Sequence, residues 1–341
     1  MNTVFIIGNG FDLKLGLKTS YQDFYDAYVE EGSSDQKEII NLKDAIQKDI
    51  DTWSDLEIQL GNHTSSLQGQ DEFDMVYFDI VSSLKKYLEK EQNRIDLTTF
   101  KIDRLIKDLS NPTLNLRQRD KNKLEKWARK WKGSPHTNTH ILTFNYSRTF
   151  EKLLDQSFKD SDLIGLGNKK IKLGEVQHIH GFVDGSLVLG VNDIEQIKNE
   201  KMRSSRSITE TLVKPIHNQE LGHTRDERCM QLIASANLIV IFGSSIGESD
   251  KIWWKKIGDR LGDECSLVIY RHGGKVEEQQ DIQTVRGDRA ISEHFLSLTS
   301  LDESQRQKAE DYIYVGAAED LFNLERIQTR SDLANPLLEE S

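Results

Sequence analysis

Val4-Phe-Ile-Ile-Gly-Asn-Gly-Phe-Asp-Leu-Lys-Leu-Gly16 reads as a buried strand, a tight turn and the start of a helix. The β-branched apolar run stops at Gly8, and from Asp12 onward apolar residues (Phe11, Leu15, Leu17, Phe24, Tyr28) recur at helical spacing. Glycine is needed where a backbone takes positive φ or comes within contact distance of another group, because a Cβ would be in the way. Free N–H groups at the helix start would make a phosphate site. Two readings stay open for Gly8, Asn9, Gly10, Phe11 and Asp12, a nucleotide site or a plain structural turn, since the third glycine of the common dinucleotide fingerprint is missing.

A chain of 341 residues is long enough to bury about 75% of its unfolded surface. Its 45 Lys and Arg face 56 Asp and Glu, a formal charge of −11, so the overall field repels nucleic acid and argues against it as a partner. No run approaches the roughly 18 apolar residues of a membrane span, and the chain opens directly on a strand. A soluble, cytoplasmic protein with no membrane partner is expected. Cys229 and Cys265 are too few for a thiolate zinc site and read as reduced structural thiols.

Residues from Gln36 to about Lys132 read as helical almost throughout. Ile39, Ile40, Leu42, Ile46 and Ile50 fit one packing face, Met75, Phe78, Ile80, Val81, Leu84 and Leu88 a second, and Leu105, Ile106 and Leu109 a third. Trp53-Ser-Asp-Leu-Glu57 is expected to start a helix, with Ser54 as cap and Glu57 at the capping-box position; a ligand role for Asp55 and Glu57 is the alternative.

After a polar linker, Gly133 to Thr139, the chain returns to strands: His140–Phe144, Val176–His178, Leu187–Gly190, Leu238–Phe242, Leu267–Tyr270 and an edge strand near Tyr312–Val315. Thr143 and Asn145 fall at the end of one, His180 and Gly181 at the end of another, and Gly243, Ser244 and Ser245 at the end of a third. Ligands of open α/β sheets collect at those ends. His178 and His180, two apart on a strand, would share a face. With no carboxylate or cysteine at ligand spacing around them, no metal is expected, and His180 reads as an acid/base or ribose contact. Lys198, Lys201, Arg203, Arg206 and Lys214 place a cationic loop or small lid over Ile194–His223, by default a solvated face.

Gly8-Asn-Gly-Phe-Asp-Leu13 with Gly16, Leu17 and Thr19, the Trp53…Glu57 element and Phe144-Asn-Tyr146 resemble the AbiH family of bacterial abortive-infection proteins. A more distant similarity is to the sirtuin-like NAD-binding fold, whose glycine turn, Thr-x-Asn, His-Gly and Gly-Thr-Ser motifs resemble Gly8–Gly16, Thr143 and Asn145, His180 and Gly181, and Gly243–Ser245. The resemblance spans residues 1–30 and 137–270 and implies a Rossmann-like, mainly parallel sheet of sirtuin type in a domain of residues 1–30 and 137–320, interrupted by an all-helical insertion at 31–136; the polar tail at 328–341 reads as frayed. It also implies NAD as ligand or substrate, with Asn145 and His180 catalytic and Gly8, Asn9, Gly10, Phe11, Asp12, Thr143, Gly243, Ser244 and Ser245 lining the cofactor site. Two departures stand out: the acidic residue that often follows two places after the asparagine is Ser147, and the serine of the first motif is Asp12. Deacetylation is set aside because the four-cysteine module it goes with is absent.

The expected function is therefore anti-phage defence through hydrolysis of the bond between nicotinamide and ribose. The alternative is a non-catalytic module that senses a nucleotide. Partners implied are NAD or a related nucleotide, a phage or host protein as trigger and, as an option, further copies of the chain.

Overall fold

The computed structural model describes residues 1–31, 35–131, 136–155, 163–165, 170–273 and 281–327. The expected tail from Gln328 and parts of the segments at Gly133–Thr139 and Gly165–Leu173 lie outside them. Among the described residues seven strands form one sheet: β1 (Asn2–Ile7), β2 (Thr137–Thr143), β3 (Leu163–Ile164), β4 (Ile171–His178), β5 (Leu238–Phe242), β6 (Ser266–Arg271) and β7 (Ile313–Ala317). Their order is β3-β4-β2-β1-β5-β6-β7, and every neighbouring pair is parallel except β3 with β4. Without the short β3, the parallel strands run third, second, first, fourth, fifth, sixth in chain order. That is a doubly wound arrangement whose direction of growth reverses between β1 and β5.

Side-chain alternation along β1 divides the core between the two faces of the sheet. Phe5 and Ile7 pack with Phe11, Phe150, Val240, Phe242 and Tyr270 on one face, and Val4 and Ile6 with Ile239, Ile241, Trp254, Leu267 and Phe295 on the other. Both faces are covered, so the central strands are apolar throughout. The first face carries α1 (Gly10–Lys14) among its partners. It ends at Lys14, and Gly16, at φ +84°, separates it from α2 (Tyr21–Glu30), so the expected single opening helix is two.

Between β1 and β2 come α2, α3 (Lys37–Lys48), α4 (Leu56–His63), α5 (Gln70–Arg94), α6 (Asp103–Ser110) and α7 (Gln118–Ala128), with no strand among the described residues. α2 to α5 form a third core with Val183, Leu189, Val191, Met202, Ile208 and Leu212. The buried face of α5 is Phe73, Val76, Tyr77, Ile80, Leu84 and Leu88, whereas Phe78, expected inside, is 58% exposed. Tyr77 takes the inward place, its hydroxyl donating to Leu189 O at 2.8 Å. Ile40 of α3 likewise faces out.

After β2 the chain forms α8 (Thr149–Asp155). Between β4 and β5 lie α9 (Glu200–Arg203), α10 (Arg206–Leu212), α11 (Lys214–Glu220) and α12 (Arg225–Ser235), and beyond β5 come α13 (Lys251–Gly258), α14 (Ile282–Ser297) and α15 (Glu303–Glu310). Leu187–Gly190, expected as a strand, is not one. Its amides are taken outside the sheet, Val188 N–H by His180 O and Gly190 N–H by the Glu57 carboxylate.

Register fixes the site. Ile7 pairs with both Thr143 and Phe242, and Thr143 with His178. Gly8, Asn145, His180 and Gly243 therefore leave the sheet side by side at its carboxyl edge.

Candidate functional site

The first turn closes on the third. The Gly10 N–H donates to Gly243 O at 2.8 Å and the Gly8 N–H to Phe242 O at 2.8 Å. A Cβ on Gly8 would lie 2.5 Å from Gly243 O, and one on Gly10 would lie 2.6 Å from the Gly243 Cα. These glycines let two backbones touch at the reversal point. Phe11 is buried in the core against Phe150 and Phe322, and Asn9 is tied to Thr19 by side-chain and backbone hydrogen bonds. The Thr143 hydroxyl donates to Ile7 O and accepts from the Asn145 N–H. Ser244 accepts from the Ile246 N–H, and Ser245 is exposed.

Asp12 and Asn145 meet in a buried polar pocket. Ser147 donates its hydroxyl to Asp12 Oδ2, and Thr149 donates to Ser147. The two departures from the sirtuin-like pattern, Asp12 and Ser147, are thus each other's partners. Burial raises the Asp12 carboxyl to about 6; hydrogen bonding from Ser147, Asn145 and Thr149 and the nearby His178 only partly offset it. Asp12 Oδ1 and Asn145 Oδ1 are buried and make no hydrogen bond. His178 Nδ1 lies 2.9 Å from Asn145 O, and its Nε2 lies 2.8 Å from Glu151 Oε1.

His180 belongs to a different group. β4 ends at His178, and Gly181, at φ +73°, turns the chain so tightly that a Cβ would fall 1.6 Å from Ser186 O. The two histidines therefore do not share a strand face. His180 Nε2 lies 2.7 Å from Asp250 Oδ1, and the ring sits between Phe144 and Tyr146.

Lys214 completes this group. Its Nζ donates to Glu57 Oε2 at 2.8 Å and Ser249 O at 2.9 Å, and lies 3.4 Å from Asp250 Oδ1 and 3.5 Å from His180 Nε2. Glu57 Oε1 accepts from the Tyr146 hydroxyl and the Gly190 N–H, each at 3.3 Å. Lys214 and Glu57 are 3% exposed, so the expected solvated cationic face is wrong at its most important residue. The segment that carries it is folded as α9 to α11. The capping expectation for Glu57 also fails: Asp55 caps α4 by accepting the Ile58 N–H, which leaves Glu57 free to turn inward.

Four ionisable groups share this space, and their neighbours set their charge. Burial pushes Asp250 up, but Lys214 and His180 outweigh it and hold the carboxyl at about 2. Burial leaves Glu57 raised in spite of Lys214 and His180. Burial lowers Lys214, yet Glu57 and Asp250 overcome it and the ammonium is held more firmly than usual. The closer, anionic neighbour of His180 Nε2 is Asp250, so that nitrogen carries the proton in the neutral ring. His180 Nδ1 is then the basic atom, and it has no partner among the described residues.

The expectation of no metal is overturned here. One donor atom from each of Glu57, His180 and Asp250 lies within 4.8 Å of the others, a set able to hold a metal ion. Spacing along the chain concealed it, because the three residues come from α4, the turn after β4 and the turn after β5. A surface hollow of about 610 Å³, lined by Leu67, Gln68, Asn199, Glu200 and Lys201, contains none of these residues.

Fold and site define a doubly wound α/β protein whose carboxyl edge, covered by a helical body, holds a buried acid-base cluster. The family described as bacteriophage abortive infection AbiH matches residues 4–271, and the chain belongs to it, with the anti-phage role this membership carries. No curated protein matches the chain. Among the described residues no helix is long and apolar enough to cross a membrane.

Proposed function

We propose that the protein acts in abortive infection by binding NAD and hydrolysing its nicotinamide–ribose bond. The observation that carries this reading is His180, fixed through Nε2 by Asp250 with Nδ1 unpaired, at the carboxyl edge of a doubly wound sheet and one strand away from Asn145. Nicotinamide leaves with the bonding electron pair, water attacks the anomeric carbon, and His180 Nδ1 takes the proton from that water. The products are nicotinamide, ADP-ribose and a proton. Asn145 orients the water or a ribose hydroxyl, and the turns at Gly8–Asp12 and Gly243–Ser245 with Thr143 border the cofactor. The similarity to sirtuin-like motifs supports the choice of NAD, and residues 31–136 offer a surface for a phage or host trigger.

Purified protein incubated with NAD should release nicotinamide, and Asn145→Ala or His180→Ala should lower the rate about 10²–10⁴-fold with little change in melting temperature. Alanine variants that melt normally and cleave as fast as the parent would refute the assignment. The complete pairing of Glu57, Lys214 and Asp250 favours a second reading, a nucleotide sensor, which NAD binding without nicotinamide release would support.

A further inference from the structure

Lys214 Nζ sits inside a cage of four donors: Glu57 Oε2, the Ser249 carbonyl, Asp250 Oδ1 and His180 Nε2, at 2.8, 2.9, 3.4 and 3.5 Å. Three of them aim electron pairs at one point that already holds a cation, and His180 Nε2 joins them when the imidazole proton moves to Nδ1. Two carboxylates, one imidazole and one carbonyl, with no thiolate, form a mixed oxygen and nitrogen set that suits Mn²⁺-type ions better than soft metals. The size also fits. Ligands on opposite sides of an ion with bonds of about 2.1 Å stand about 4.2 Å apart. Donors of Glu57, His180 and Asp250 already lie within 4.8 Å of one another, and around an ion at the ammonium position the four ligands would move inward by about 0.7–1.4 Å from their present 2.8, 2.9, 3.4 and 3.5 Å.

The cage is also fixed from outside. Tyr146 and the Gly190 amide hold the second Glu57 oxygen, Asn192 Nδ2 donates to the Ser249 carbonyl, and Gly181 sets the turn that presents His180. Lys214, by contrast, reaches the centre on a flexible four-carbon stem.

We propose that this cage is a divalent-cation site of the Mn²⁺ class, in which the metal takes the place of the Lys214 ammonium and Glu57, His180, Asp250 and the Ser249 carbonyl become its ligands. Lysine is then a resident competitor that keeps the buried carboxylates neutralised until metal arrives. The inference is independent of NAD as substrate.

The test uses the full chain, stripped of metal and titrated with MnCl₂, with free Mn²⁺ read by electron paramagnetic resonance. The parent should take up one Mn²⁺ per chain, and Glu57→Gln should weaken that uptake at least tenfold. Displacement has its own readout in the parent: reductive methylation followed by mass spectrometry should label Lys214 at least threefold more with Mn²⁺ present. Lys214→Met, where it folds, should bind at least tenfold more tightly than the parent. No uptake by the parent, uptake indifferent to Glu57→Gln, or Lys214 labelling unchanged by Mn²⁺ would each overturn the proposal.

Discussion

Lys214→Met and Glu57→Gln remove the two halves of one ion pair, yet they should not cost the same. Methionine keeps most of the volume of the lysine stem and deletes its charge. Glu57 and Asp250 then face each other with donor atoms no more than 4.8 Å apart and no cation between them. At an effective dielectric of about 20, two unit charges at that distance repel by about 3.5 kcal/mol. The ammonium's hydrogen bonds to Glu57 and to Ser249 O are lost as well. Breaking a buried pair costs about 3–5 kcal/mol, and the upper end of that range is expected here. Glu57→Gln instead leaves Lys214 beside Asp250, a neutral pair, and loses one charged hydrogen bond, about 1–3 kcal/mol.

With roughly 2 °C per kcal/mol for a chain of this size, Lys214→Met should melt about 8 °C below the parent and Glu57→Gln about 2–6 °C below, in buffer containing chelator. The pH dependence gives a second check. In Lys214→Met the facing carboxyls have raised folded-state pKa values, so in that window the folded state binds more protons than the unfolded one, and stability falls as pH rises through it. The deficit should therefore be smaller at pH 5 than at pH 8. Equal losses from the two variants, or a deficit independent of pH, would refute the charge count.

Asp12→Asn should stabilise the protein at neutral pH. The carboxyl is raised to about 6, so folding favours its protonated form; parent stability falls as pH rises from the unfolded value of 3.8 through 6, by roughly 3 kcal/mol in all. Melting curves from pH 4 to 8 should show that slope in the parent and not in Asp12→Asn, whereas Asp12→Lys should unfold; an asparagine variant less stable than the parent at pH 8 would contradict this. Gly8→Ala places a methyl 2.5 Å from a backbone oxygen and should cost about 1–3 kcal/mol in urea titrations, against well under that for Gly69→Ala, which meets nothing within 4 Å. A Gly8→Ala variant as stable as the parent would mean the space is kept for something other than Gly243. In the NAD assay, Asp250→Asn should lower kcat about 10²-fold or more while changing NAD affinity less than twofold, because asparagine holds the His180 ring without fixing its proton. Unchanged kcat would remove Asp250 from the mechanism.

The sheet was legible because its central strands are buried on both faces, which writes them as unbroken apolar runs such as Leu238–Phe242. Asn145 and His180 were legible as residues just past strand ends. Phe78 was misjudged because it adjoins Tyr77, and periodicity alone does not tell which of two adjacent aromatics turns inward. Lys214 and Glu57 were hidden for a different reason: their contact spans 157 positions, and lysine and glutamate are ordinarily exposed. A signal for Lys214 did exist, since it is a lone cation in Leu212-Val-Lys-Pro-Ile216, inside an otherwise apolar run. Asp250 stands seven residues past Gly243 in a stretch of glycine and serine, with no sequence signal that ties its carboxylate to Glu57 or His180.

The buried cluster has a consequence for synthesis. Its members are contributed at positions 57, 180, 214 and 250, and Asp250 follows β5, which pairs with the first strand of the chain. A polypeptide emerging from the ribosome has Glu57 long before anything can neutralise it, and the four groups first coexist when β5 inserts beside β1. Pairing across so many residues is slow compared with local helix formation. Unfinished chains and fragments truncated before Asp250 consequently lack the assembled centre, whatever chemistry it performs. The centre is thus a late product of folding, complete only once β5 lies beside β1.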